Sequence, residues 1–175
     1  MERSRAGDAQ ATPPAFSDDR RERTAPIAVV IVAIMFGYWT YAEHESPQWA
    51  NLSTPRGSVR VLVANNASNR SQGLSRRIDL PGDGLLLQWD APGRHPIWMA
   101  QMRFPLDLIW LRHDGRVTGV LTNVPVCSSP QCPLYEPEGT HEAVAVLELS
   151  SGTAANHGIQ IGTVIRSLPP SSNAR

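Results

Sequence analysis

The run Ile27 to Tyr41, IAVVIVAIMFGYWTY, carries no charge, and no other feature of the sequence limits the possible folds so strongly. Extended by Pro26 and Ala42, it approaches the roughly 20 residues that cross bilayer hydrocarbon as a helix. Arg20, Arg21 and Arg23 precede it, Glu43 and Glu45 follow it, and no further arginine occurs until Arg56. By the positive-inside bias, the tail stays in the cytoplasm and the chain beyond Tyr41 is carried across. Tyr38, Trp39 and Tyr41 stand where interfacial aromatics belong. The expectation is a single N-terminal transmembrane signal-anchor helix over residues 26–42, giving a single-pass protein of the cell membrane with its C-terminal domain outside. Two other readings compete. A buried core helix is opposed by the flanking charges and the all-round apolar surface. A cleavable signal peptide, with secretion, is favoured by the small residues Thr40 and Ala42 and opposed by bulky Tyr41.

The remainder divides by composition. Residues 1–25 mix Arg, Asp, Glu, Ser, Ala and two consecutive prolines without periodicity, as a disordered cytoplasmic tail does. Residues 43–57, with Pro47 and Pro55, read as a linker, 58–168 as one exported β-rich domain, and 169–175 as a frayed end. Within the domain, short apolar runs bounded by Gly, Pro, Asn or Asp predict strands at Ser58–Ala64, Leu85–Trp89, Leu106–Arg112, Arg116–Val124, Ala143–Leu149 and Thr163–Leu168. Asp114-Gly115 accepts the positive φ of a tight hairpin turn, so the third and fourth runs should be antiparallel neighbours. Short helices are expected at Ser68–Arg76 and at Thr153–His157, the second capped by Thr153. The fold class that follows is mainly β: a compact antiparallel β-sandwich or partly open barrel with one or two short helices, behind the membrane helix.

Charge and composition remove several functions. Sixteen basic and 16 acidic residues cancel, so nothing points to nucleic acid as a partner. Every non-histidine base is arginine, which excludes Schiff-base and P-loop lysine chemistry. No Gly-x-Ser-x-Gly elbow or phosphate-binding glycine loop occurs, which points away from an enzyme. Cys127 and Cys132, separated by Ser-Ser-Pro-Gln, predict a small structural disulfide in an oxidising compartment; a redox pair or half a metal site are the alternatives.

Candidate site residues cluster around the segment from His95 to Asp107. Asp107 shares a strand face with Ile109 and Leu111, so its carboxylate needs a partner: backbone amides, an arginine such as Arg70 or Arg103, or a ligand. Glu148, on the face of Val144 and Val146, poses the same question. Brought together, Asp107 and Glu148 would form an acid and base pair suited to glycan hydrolysis. Arg70 beside Gly73 could hold an anionic ligand or pair with Asp107. Trp98 and Trp89 suit a core, a rim or a sugar-stacking platform. His95, Met99 and Met102 are soft donors of the kind that hold copper(I), although methionine more often fills gaps; no metal or cofactor is expected.

Several motifs in order carry a resemblance: Arg70-Ser-Gln-Gly73-Leu74, Gly84-Leu-Leu-Leu, Trp98-Met99, Pro105-Leu106-Asp107-Leu108-Ile109, Asp114-Gly115, Cys132-Pro133-x-Tyr135, Val146-Leu147-Glu148-Leu149 with Gly152, and Gly158-x-x-x-Gly162. Over about residues 57–168 the chain resembles the bacterial and archaeal family called domain of unknown function 192. The resemblance implies an exported or anchored, mainly β domain, and implies no particular activity. The chain departs from the pattern at Ala100-Gln101-Met102, where the family usually has Lys-Asn-Thr, and at Ser75, where it usually has Met. Should those polar positions line a ligand site in relatives, this chain binds more weakly or binds another molecule. The expected function is a membrane-anchored, non-enzymatic module that binds an envelope ligand or protein through Arg70, Trp98 and Asp107. The alternatives are a hydrolase of envelope glycans and a structural or assembly protein of the envelope.

Overall fold

The computed structural model describes residues 31–32, 46–138 and 142–170. The chain divides into two units, Met1–His44 and Glu45–Arg175. Of the first, only Ile31 and Val32 are described, both helical and exposed, so the expected tail and the expected membrane segment lie outside the described residues. Among the described residues, no helix is long and apolar enough to cross a membrane.

The second unit is built, in chain order, from β1 (Trp49–Thr54), β2 (Gly57–Ala64), α1 (Ala67–Gln72), β3 (Gly84–Gly93), β4 (Ile97–Trp98), β5 (Leu106–Leu111), β6 (Val117–Val124), β7 (Leu134–Tyr135), β8 (Ala143–Ser150) and α2 (Thr153–Asn156). Six strands form one sheet in the order β1-β2-β3-β8-β5-β6, and β4 and β7 form a separate ribbon. The fold is mainly β with two short helices, as expected, but the sheet is not a wholly antiparallel sandwich and does not close into a barrel. The pair β2 and β3 is parallel, with Val61 opposite Gly84 and Ala64 opposite Leu87. The connection through α1 and residues 73–83 is long enough to return the chain to the same end, and a parallel pair requires such a crossover.

Burial explains why one sheet suffices. Every residue of β5, Leu-Asp-Leu-Ile-Trp-Leu, is buried, because both faces of the sheet are covered. On one face Leu52, Val61, Leu86, Ile109, Leu147 and Leu149 pack with Ala154, Ile159 and Ile165 from the C-terminal part of the chain. On the other, Leu85, Leu87, Leu106, Leu108, Trp110 and Val146 pack with Leu74, Ile97 and Met99. The indole N–H of buried Trp110 donates to His95 O at 3.1 Å, so the largest core side chain leaves no polar atom unmet.

Residues expected to be a linker contain β1, which pairs antiparallel with β2 from Trp49 opposite Leu62 to Thr54 opposite Gly57. Residues expected to be a sixth strand, Thr163–Leu168, make isolated bridges only, yet they serve both margins of the sheet. Ser53 and Arg166 exchange backbone hydrogen bonds at 3.0 and 3.1 Å, while Ile165 N–H donates to Gly115 O at 2.9 Å and Val117 N–H to Thr163 O at 2.8 Å. The Asp114-Gly115 hairpin forms as predicted between β5 and β6. Gly115 has φ +77°, and an added Cβ would run into Ile165 O, so glycine is needed there for both the turn and the close approach.

Candidate functional site

Strand parity separates the two acidic candidates. In the antiparallel ladder of β5 and β8, Asp107 lies opposite Leu149 and Leu108 lies opposite Glu148. Side chains of directly opposed residues share a face, and successive residues alternate. Asp107 therefore points into the core half that holds Ile109 and Leu149, and Glu148 into the half that holds Leu108 and Val146. The expected carboxylate pair does not converge, and the hydrolase built on it has no site.

Asp107 is wholly buried and fully occupied by structure. One carboxylate oxygen, Oδ1, accepts the N–H of Asn123 and the other, Oδ2, accepts the N–H of Ala154, each at 2.9 Å. Thr153 was the expected cap of α2. Instead Gly152 holds the N-cap position, which offers no side chain, and Asp107 serves the second residue of the helix from across the core. Asn123, at φ +54°, turns its own amide oxygen to accept the Ser151 hydroxyl at 2.9 Å. The ligand role expected of Asp107 is thus displaced by a structural one: it ties β5, the end of β6 and α2 together.

Arg70 is likewise a tie. Its Nη1 donates to Asn65 O at 2.7 Å and to Gln88 O at 2.9 Å, fastening α1 to the end of β2 and the middle of β3. Its guanidinium lies 5.5 Å from the Trp89 ring centroid, and the His95 ring stacks on Trp89 with centroids 3.9 Å apart. Burial lowers the His95 pKa below its usual value, opposed by backbone contacts at Ala91 and Ala143 and assisted by the Arg70 charge. His95 stacks on Trp89, whereas Met99 is wholly buried and Met102 packs against the same apolar cluster. Among the described residues, no three of His, Cys, Asp and Glu gather as metal ligands.

Trp98 alone of the three expected ligand residues is free to meet a partner. It is 58 % exposed, and its cross-strand partner Leu134 is 64 % exposed. The adjacent Ile97 and Tyr135 turn inward and anchor the ribbon to the core. Cys127 and Cys132 form the expected disulfide just before β7, and Cys127 N–H donates to Met99 O at 3.3 Å, so the cross-linked loop is fixed beside the ribbon. Leu134 was not legible as a site residue, since a single leucine after Cys-Pro has no periodicity to reveal its pairing.

Glu148 is 5 % exposed, with apolar Leu85 and Leu108 on either side, and makes no side-chain hydrogen bond or ion pair among the described residues. Burial pushes its pKa up to about 8. Near neutral pH burial therefore favours its protonated form.

Comparisons place this arrangement among known proteins. A comparison with curated proteins finds no match. Among solved structures, a protein from Sinorhizobium meliloti named as a candidate transcription regulator is 26 % identical, with a TM-score of 0.58 over 70 % of this chain and 95 % of that one. A protein of unknown function from Novosphingobium aromaticivorans is 24 % identical, with a TM-score of 0.57 over 71 % of this chain and 95 % of that one, and shares the fold. The model of the family described as Uncharacterized ACR matches residues 50–167, from β1 through the C-terminal bridges. That span carries the whole sheet and every site residue discussed above, and the chain belongs to this family, domain of unknown function 192.

Proposed function

We propose that the chain is a membrane-tethered, non-enzymatic binding module whose folded unit stands outside the cytoplasm and engages an envelope protein through Trp98 and Leu134. The observation that carries the reading is the outward cross-strand pair, 58 % and 64 % exposed, on a ribbon whose other residues are packed inward. A tryptophan presented on a fixed support loses little conformational freedom on binding, which suits it to anchor an interface. The uncharged run Ile27 to Tyr41, with arginines before it and glutamates after it, supports the tether and its orientation. The disulfide suits an oxidising compartment. The candidate transcription regulator does not alter this reading, because 16 basic and 16 acidic residues leave no net charge to draw nucleic acid.

A photo-crosslinking amino acid at position 134 of the full chain, expressed in its native host, tests the assignment. A discrete cross-linked protein is expected, and Trp98→Ala should abolish it. An unchanged adduct in Trp98→Ala, or none at all with either chain, would remove the assigned surface.

A further inference from the structure

Glu148 sits at the end of the sheet where two covering segments arrive. Gly84 lies opposite Leu149 and Leu106 lies opposite Ser150, so residues 73–83, which lead into β3, and residues 99–105, which lead into β5, reach the sheet beside it. These segments are clasped to each other. Arg76 N–H donates to Gln101 O at 3.0 Å, Arg76 Nε donates to Gln101 Oε1 at 2.7 Å, and Ser75 Oγ donates to Ala100 O at 3.2 Å. Arg76 and Gln101 are both held at positive φ, +64° and +60°, which costs a non-glycine residue about 1 kcal/mol or more. Each strained residue is thus secured chiefly by the other, at a position where water competes for the same hydrogen bonds.

Beneath the clasp the lining is apolar. Leu74 and Met99 are buried in the cluster that contains Leu85 and Leu108, with Leu80, Met102 and Phe104 packed against it. The buried Nε of Arg77 has no partner among the described residues, and the Glu148 side chain, 5 % exposed, makes no hydrogen bond or ion pair there. An unmet buried polar group costs about 1 to 3 kcal/mol, and a fold keeps one most readily where something else completes it.

We propose that the clasp between residues 73–83 and 99–105 opens on a small-molecule site in which the Glu148 carboxyl hydrogen-bonds an oxygen acceptor on an uncharged, mostly apolar ligand. The site is separate from the Trp98 surface and independent of its role. An uncharged ligand is favoured by what surrounds the acid. Its sheet neighbours Leu85, Leu108 and Val146 are apolar, and the charged groups of the covering segments, Arg76, Arg77, Asp79, Asp83 and Arg103, make no hydrogen bond or ion pair with it. Burial alone sets its proton affinity, so a cationic ligand would be stripped of water beside an acid that burial itself holds toward its uncharged form.

The four methionines of the chain supply the probe, because Met99 and Met102 line this cluster. The full chain, labelled with ¹³C at its methionine methyls and placed in phospholipid nanodiscs, is titrated with cyclohexanone, methylcyclohexane and cyclohexylammonium. At about pH 6, cyclohexanone should shift the Met99 and Met102 signals saturably, and about tenfold more weakly in Glu148→Leu, with Glu148→Gln, which keeps a donor, close to the parent. Raising the pH to about 9 should weaken the parent alone, again by about tenfold, as its acid ionises. Trp98→Ala should leave these shifts unchanged, which separates this site from the partner surface. Equal binding by Glu148→Leu, tighter binding of cyclohexylammonium, or no saturable shift would each overturn the proposal.

Discussion

Two carboxylates lie one residue out of register on adjacent strands and have opposite roles. Asp107 receives two backbone amides in a wholly buried place, so its removal strands both donors in the core. Asp107→Ala should lower stability by about 2 to 4 kcal/mol in urea unfolding, with the unfolding slope unchanged. Glu148 has no such partners, and the sign of its effect is the reverse. Its folded pKa of about 8 lies above the usual 4.5, so the folded state holds the proton more tightly. The stability it allows is complete below about pH 4.5 and falls as the pH rises toward 8, by a few kcal/mol, then levels off. Urea midpoints taken across this range should show the decline in the parent and a flatter profile in Glu148→Gln. The faces of both residues were legible from strand alternation. The partners of Asp107 were not, because a backbone amide has no residue type by which to recognise it.

At the level of elements, the legible ones are those whose own residues specify them. Leu106–Leu111 and Ala143–Ser150 are continuous apolar runs, and Asp114-Gly115 dictates its turn, so these strands and the hairpin follow from sequence. The strand Trp49–Thr54 reads as linker because Asn51, Ser53 and Thr54 are polar and Pro47 and Pro55 flank it; its pairing with β2 makes it a strand. The ribbon of Ile97–Trp98 and Leu134–Tyr135 has two residues on each side and no period at all. It depends on the core contacts of Ile97 and Tyr135 and on the neighbouring disulfide. Replacing Cys127 and Cys132 together by serine should cost about 2 kcal/mol, the loop-closure value for so short a ring, measured as a fall in urea midpoint that a reducing agent no longer changes.

For the whole molecule, what the sequence concealed was the parallel pair of β2 and β3, since local patterns say nothing about which distant strand will be the neighbour. Mostly β content and one folded unit after the N-terminal segment were accessible from run lengths and turn residues alone. The proposed tether gives a prediction at this scale. The full chain should sediment with membranes, resist extraction by alkaline carbonate, and be digested by protease added to the outside of spheroplasts. Recovery in the soluble cytoplasmic fraction with both thiols reduced would contradict it. The bridges made by residues 163–166 have a consequence for biosynthesis. Because one stretch bridges to both outer strands, a nascent chain cannot protect either margin until residues 163–166 have been made, and a product stopped at Gly162 would bare two sticky borders at once. Such a product should form sedimenting polymers where the parent stays dispersed, making the tail of this fold its safeguard against self-association.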